Sequence, residues 1–239
     1  MTMFRWENSA SVCVDGVTQD ELRWIADRWC GVLDPGREQR DPDALRLIAP
    51  DAVGGEAAAE PRRIQIGARL VRGHEFMELR IGPHALTPGI GDEPDRVRWS
   101  NRRSASFLER ELIIDLGINH LLARQGLPVL HSCAFELNGT SVLGLGESFA
   151  GKTTVSVAAM LAGGRVVSDD LVLVVPEGDG RYSLLPVRSY GWLRGQTREI
   201  VPAELEGKMA ENEEDGQPRW VLRREDGGDS FVDRATPEV

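Results

Sequence analysis

The sequence predicts an α/β protein, with a mixed sheet and flanking helices over residues 106–239 and a smaller α+β region over 1–105. Three observations predict it. From Val129 onward, short apolar runs of strand length alternate with glycine turns and one helical stretch. Residues 106–125 carry apolar positions at helical spacing, closed by Gly126 and Pro128. Before residue 105, one helical pattern and a few weakly alternating segments are interrupted by Pro, Gly and charge.

The first helix is expected from Thr18 to about Leu33. Thr18 and Glu21 form a capping-box pair, and Leu22, Ile25, Ala26, Trp29 and Leu33 share a face, with Trp24 off it. Asp34–Pro61 reads as loops with a short strand at Leu45–Ile48. Arg63–Leu70 and Glu75–Ile81 read as strands, and Gly82–Pro94 as another loop. The second helix, Ser106–Gln125, opens on the pair Ser106 and Glu109, with an apolar side of Leu108, Leu112, Ile113, Leu116 and Leu121. Either half of the chain can cover that side, so the boundary at 105/106 is soft and one continuous sheet is the alternative. Val129–Leu137 and Thr140–Leu145 read as a hairpin about Asn138-Gly139. A helix follows from about Lys152 to Ala162, stopped by Gly163-Gly164. Arg165–Ser168 is a short strand delivering Asp169 and Asp170, Leu171–Val175 another, and Pro176–Gly180 a turn. Glu204–Asp215 is acidic enough to read as a mobile surface loop.

Composition bounds the function. With 239 residues and 41% hydrophobic content the chain can bury one large core or two modest ones. No apolar run reaches the ~18 residues of a membrane span, and the N-terminus lacks a signal-peptide pattern, so the cytoplasm is expected and no membrane partner. Cys13, Cys30 and Cys133 fit no disulfide framework or metal pattern and read as reduced, partly buried thiols. The net charge of −10 argues against nucleic acid; Arg62, Arg63, Arg69 and Arg72 read as a solvated face. Only Lys152 and Lys208 are lysines among 28 basic residues. A compact ammonium suits a point contact to phosphate oxygens, and Lys152 lies in a glycine loop.

That loop, Gly146-Glu147-Ser148-Phe149-Ala150-Gly151-Lys152-Thr153, matches G-x-x-x-x-G-K-[ST]. Terminal glycines let the backbone curl so that successive N–H groups converge on an anion, and the next helix adds its N-terminal donors. In such a loop Lys152 bridges the β- and γ-phosphates of a nucleotide and the Thr153 hydroxyl ligates Mg²⁺. The bland alternative is an ordinary glycine turn between strand and helix, which the entering apolar strand and departing helix disfavour. Asp169 and Asp170 are expected at a strand end, beside the loop if the sheet is parallel there. A carboxylate so placed holds the water shell of Mg²⁺ or takes a proton from an attacking hydroxyl; the alternative is a turn or cap. His131, on pattern alone, reads as a satisfied core histidine.

Over His131–Val175 the chain resembles the HPr kinase/phosphorylase family of P-loop Ser/Thr kinases. It shares a His in a strand, a small hairpin, G-E-S-F-A-G-K-T, a helix ending in Gly-Gly, then R-V-V-S-D-D. The resemblance implies a P-loop kinase domain of HPr-kinase type. Gly146, Glu147, Ser148, Phe149, Ala150, Gly151, Lys152, Thr153 and Thr154 hold the phosphates of ATP, and Thr153 the Mg²⁺. Asp169 is the base, Asp170 supports the metal or the acceptor, and His131 sits beside them as part of the catalytic group with Lys152. The family's Glu-Ile-Arg-Gly-Leu-Gly signature has its nearest echo in Trp192-Leu193-Arg194-Gly195, with Trp in place of the metal-binding Glu. The chain looks more like the shorter kinases of peptide-biosynthesis clusters, including those that phosphorylate a serine of a lasso-peptide precursor. The expectation is an ATP- and Mg²⁺-dependent kinase acting on a Ser of a peptide or protein, with the 1–105 region free to recognise the acceptor. A small-metabolite kinase and a nucleotide-binding switch are the alternatives; an ABC-type ATPase lacks its LSGGQ-like signature. A homo-oligomer is neither required nor excluded by these residues.

Overall fold

The computed structural model describes residues 2–6, 10–15, 18–29, 34–35, 45–48, 64–71, 74–81, 84–88, 96–99, 107–147, 149–188, 190–194, 196–201, 203–214, 217–223, 227–231 and 235. It is a mixed α/β chain with antiparallel sheets and flanking helices, in two compact units: Met1–Ala26 with Leu33–Gln125, and Asp27–Val32 with Gly126–Val239. Among the described residues no helix is long and apolar enough to cross a membrane.

The first unit holds β1 (Thr2–Trp6), β2 (Ala10–Asp15), most of α1 (Gln19–Arg28), β3 (Asp34–Pro35), β4 (Leu45–Ile48), β5 (Ile64–Val71), β6 (His74–Ile81), β7 (His84–Pro88), β8 (Arg96–Trp99) and α2 (Phe107–Arg124). Its eight strands form one sheet in the order β3-β1-β2-β4-β8-β7-β6-β5, parallel only at β2–β4 and β4–β8. β7 lies inside the segment expected to be loop. It forms because β6 and β8 offer a ladder on each side, pairing that overrides weak local propensity. The expected capping box at α1 is present: Thr18 N–H donates to Glu21 Oε2 at 2.6 Å, and Glu21 N–H to Thr18 Oγ1 at 3.2 Å. Ile25 and Trp29 on its apolar face are fully buried. The helix ends at Arg28, short of Leu33, which lies outside the described residues.

Helix α2 packs on β4, β2 and β8, and the compact unit that contains it runs to Gln125. Its buried arc is Ile113, Ile114, Ile118, Leu121 and Leu122, the i, i+4, i+7, i+8 pattern of a core-facing stripe. Leu112 falls off this arc and is exposed, against expectation. Gly126, at φ +79°, ends the helix region as its position suggested. Ser106, the proposed cap, lies outside the described residues.

The second unit contains β9 (Val129–Leu137), β10 (Thr140–Leu145), α3 (Lys152–Leu161), β11 (Arg165–Ser168), β12 (Leu171–Gly178), β13 (Arg181–Pro186), β14 (Tyr190–Arg194), α4 (Gln196–Glu199), α5 (Ala203–Glu206), β15 (Ala210–Glu214) and β16 (Gln217–Arg223). The expected hairpin closes at Asn138 and Gly139, both with positive φ, the signature of the twist-matched two-residue turn. β9 is the hub: β10 pairs one edge, β11 and β12 the other, and β13 pairs β12. Every pair is antiparallel, so the mixed sheet expected for this half is corrected. Pro176–Gly180 is not all turn either. β12 runs through Pro176 to Gly178, and only Asp179 and Gly180 turn. Pro176 is tolerated because β9 pairs β12 only as far as Leu173, leaving its other edge without a ladder that needs an N–H.

Both faces of β9 are covered. Cys133 and Phe135 pack with Ala159 of α3, while Ala134 joins Val167, Val172, Leu184 and Ala235 on the other side. Cys133 is a buried free thiol, as expected; the side chains of Cys13 and Cys30 lie outside the described residues. The acidic segment read as a loop is instead α5 followed by β15, which pairs β16 in a second antiparallel sheet, β14-β16-β15. The next strand in the chain, β16, supplies the order that its composition denies.

Helix α3 ends in a Schellman motif. Gly163, at φ +82°, donates to Met160 O at 3.0 Å, and Gly164 N–H donates to Ala159 O at 2.8 Å. Gly164 then passes so near β9 that a Cβ would stand 2.6 Å from Glu136 O and 2.9 Å from Ala159 O. Gly164→Ala is therefore expected to destabilise the fold by about 1–3 kcal/mol, the usual cost of overpacking. Urea unfolding of the two proteins checks it; equal midpoints would mean that α3 can lift off β9 freely.

Candidate functional site

The topology gathers the sequence-marked residues at one end of β9. β10 and β11 run in the same direction on opposite sides of it, since both are antiparallel to the same β9 residues. The expected side-by-side arrangement of strand ends thus arises in an antiparallel sheet, with β9 between them. Leu145 pairs Ser132 just before the glycine loop begins, and Leu171 pairs His131 just after the two aspartates. β11 and β12 are successive stretches along the same edge of β9, interrupted at Asp169 and Asp170, where the register has shifted after Val166. Asp170 O still accepts from Ser132 N–H at 2.8 Å. Such irregularities re-aim side chains out of a ladder.

The loop from Gly146 to Gly151 curls around its own lysine. Lys152 Nζ donates to Gly146 O and Glu147 O, each at 2.9 Å. A tight turn, Ala150 N–H to Glu147 O at 3.1 Å, lies within it. Gly146 is required there: a Cβ would come within 2.9 Å of Ala150 Cβ. Gly151 takes φ +88° as the N-cap of α3 and brings no side-chain cap. The first-turn amides of α3 therefore lack the usual intramolecular acceptor. Phe149 adopts φ +67° and is 91% exposed, a conformation that bulky residues rarely hold. Ser148 lies outside the described residues.

Thr153, one residue into α3, and Asp169 line one small cavity of about 30 Å³. Asp169 is itself buried. Met160 of α3, Val166, Gly191 and Leu193 of β14, Leu222 of β16 and Phe231 complete most of its wall. Phe231 reaches it because Gly227 has no side chain; a Cβ there would overlap the ring at 2.2 Å. Thr154, expected at the phosphates, instead bonds through its hydroxyl to Thr197 Oγ1 of α4 at 3.1 Å.

Asp170 is the centre of an ionic cluster. His131 Nε2 lies 3.1 Å from Asp170 Oδ1, and the buried Arg188 guanidinium pairs with Oδ2. His131 is half-exposed, so the core-histidine reading is corrected. Asp170, expected to support the metal or the acceptor, thus has both oxygens engaged by cationic or donor groups. Burial pushes its pKa up, but the His131 hydrogen bond and the charges of Arg188, His131 and Arg28 outweigh it and set the value at about 2, below the ordinary 3.8. A depressed carboxylate stabilises the fold above its unfolded pKa, and that contribution is lost as pH falls from 3.8 towards 2. The stability difference between wild type and Asp170→Asn is expected to shrink by about 2 kcal/mol between pH 6 and pH 2. Denaturant titrations across that range measure it; a difference independent of pH would mean that Asp170 titrates normally.

Sequence reasoning missed Arg188 and Gly191. Arg188 is one arginine in an Arg-rich chain, with no local mark to separate it. Gly191 sits one residue before the Trp192-Leu193-Arg194-Gly195 echo, whose strand is β14. Leu193 there is buried, while Gly195 and the side chains of Trp192 and Arg194 lie outside the described residues. Compared with known proteins, the chain matches no family model and no curated protein sequence.

Proposed function

We propose that this protein is an ATP- and Mg²⁺-dependent phosphotransferase with a P-loop kinase domain of HPr-kinase type, moving a γ-phosphate to a hydroxyl of a peptide or protein. One observation carries the reading: a lysine ammonium folded onto the carbonyls of its own glycine loop, at the mouth of a helix without a side-chain cap. Released from those carbonyls, the Lys152 ammonium would be free to meet a phosphate oxygen, with the first-turn amides of α3 as further donors.

In this reading Lys152 leaves Gly146 O and Glu147 O for the β- and γ-phosphate oxygens, and the loop amides and first turn of α3 hold the remainder. Thr153 carries the hydroxyl that would hold Mg²⁺ beside the phosphates, a hard oxygen donor of the kind that ion takes. When bound, Mg²⁺ supplies charge neutralisation at the phosphates. Asp169 draws the proton from the acceptor hydroxyl as its oxygen attacks, and ADP departs. Asp170, clamped by Arg188 and His131, fixes the strand break that aims Asp169.

Incubation with γ-labelled ATP and candidate acceptors tests the proposal. Label on a peptide supports it, label on a small molecule favours a metabolite kinase, and binding without transfer favours a switch. Failure to bind ATP at all would remove the basis of every one of these readings.

A further inference from the structure

We infer that the acceptor docks on the outer edge of β10 as one added strand, so that the substrate is an extended peptide segment rather than a folded surface. This rests on the phosphotransferase reading above and adds to it the class of substrate and the place that holds it.

β10 is the terminal strand of its sheet, paired with β9 on one side and with no described strand on the other. The hairpin to β9 turns in two residues, so Leu137 and Thr140 exchange hydrogen bonds beside the turn, and the pattern alternates from there. The main-chain N–H and C=O groups of Ser141, Leu143 and Leu145 therefore point away from β9. Exposed edges are commonly blunted by a charge, a proline, a bulge or a covering segment. Thr140–Leu145 holds no charged residue and no proline, its register on β9 is unbroken, and each of its residues is at least partly exposed. The opposite edge of the sheet is treated differently. There Ala235 covers part of β13, with Leu184 N–H donating to Ala235 O at 2.9 Å and Ala235 N–H to Leu184 O at 3.0 Å. The chain closes that edge on itself, while among the described residues the edge leading into the glycine loop is open.

The occupant follows from what the edge offers. Alternating donors and acceptors at strand spacing are matched by another extended backbone. Six residues of one edge are few beside the roughly 20–30 per partner of a stable protein interface, so a peptide segment fits better than a second copy of this chain. Leu145 is 69% exposed at the loop end of β10 and offers an added strand an apolar cross-strand neighbour. Phe149, on the loop itself, is a second exposed apolar side chain at that end.

The distance to Asp169 sets the register. An added strand, β10, β9 and β11 would stand side by side, spanning three spacings of about 4.8 Å each. At about 3.3 Å per residue, roughly four residues beyond the paired segment bring the acceptor hydroxyl across the loop to Asp169. Apolar selection is thus expected about four or more residues from the acceptor, on one side of it.

The test uses the full-length protein, γ-labelled ATP and a pool of long peptides with one central Ser and randomised flanks. In the peptide labelled fastest, N-methylation of the selected flank is expected to raise KM at least about tenfold, because the backbone donors are lost. Ser141→Pro removes an outward N–H and leaves the β9 ladder intact. It is expected to raise KM for the same peptide about tenfold while ATP affinity stays within about twofold. Leu145→Ser, at an exposed side chain, is the second variant, with KM up about threefold. With peptide bound, amide hydrogen exchange at Leu143 and Leu145 is expected to slow at least about tenfold, and that at Val142, already bonded to β9, to keep its rate. Unchanged KM in both variants, or unchanged exchange at Leu143 and Leu145, would overturn the inference. Slowing of those amides by protein concentration alone would overturn it too, giving the edge to a second copy. Labelling of no peptide by a protein that binds ATP would also overturn it, whereas a wild-type protein that binds no nucleotide would remove the phosphotransferase reading beneath it.

Discussion

Asp169→Asn is expected to lower phosphoryl transfer by about 10³-fold while ATP affinity changes by less than about threefold. The amide keeps the size of the carboxylate but cannot accept the acceptor's proton, and a positioned general base typically contributes 10²- to 10⁴-fold. Asp169 is buried and shares its cavity with Thr153 rather than with the loop carbonyls, so the substitution leaves the lysine contacts intact. Single-turnover transfer from γ-labelled ATP, with affinity measured separately, gives both halves of the expectation. Transfer at the wild-type rate would remove Asp169 from the chemistry, and equal losses in both measurements would make it a binding residue instead.

Lys152→Met is expected to act at the other step. The thioether retains the length of the stem without the ammonium that now bridges Gly146 O and Glu147 O. ATP affinity should fall roughly 100-fold, about 3 kcal/mol, as a charge-assisted contact to phosphate is lost. The fold should be little affected, because the contacts removed are exposed ones. Calorimetric titration with ATP, together with an unfolding curve, distinguishes these effects. An unchanged affinity would mean that the loop closes on its lysine for structural reasons alone.

The two substitutions probe residues of different legibility. Lys152 announces itself locally, because glycines, lysine and threonine at fixed spacing must be contiguous to build a curled loop on a helix. Asp169 was legible only through its distance from that loop and a strand reading for Arg165–Ser168. The structure keeps the strand but changes the reason for its placement. Neighbouring strand ends meet across β9 in an antiparallel sheet, not in a parallel one. His131 read as a core residue because its apolar strand suggested burial; it is exposed because it pairs Leu171 at the edge of the break. Arg188 had no local signal at all. Its partner, Asp170, is brought to it by the pairing of β12 with β13, through Val172 and Pro186.

The acidic segment from Glu204 was misread for a local reason. Its charge argued for a solvated loop, yet β15 pairs residue by residue with β16, from Ala210 opposite Val221 to Glu214 opposite Gln217. The two strands lie within one short window, separated in sequence only by Asp215-Gly216, a dipeptide that signals a hairpin, so the reading went wrong by weighing charge above turn chemistry.

By itself, the sequence determined the features whose partners lie within a few residues. These are the capping box of Thr18 and Glu21, the turn at Asn138-Gly139, the glycine stop of α3 and the spacing of the loop that holds Lys152. Their geometry follows from backbone dihedral preferences and short hydrogen bonds, which nearby residues fix. The tertiary structure alone decided the antiparallel order about β9, the ionic cluster on Asp170 and the cavity that Thr153, Asp169 and Gly191 line together. Each depends on segments distant in the chain meeting at ångström distances, and side-chain type does not encode which strand edge another strand will find.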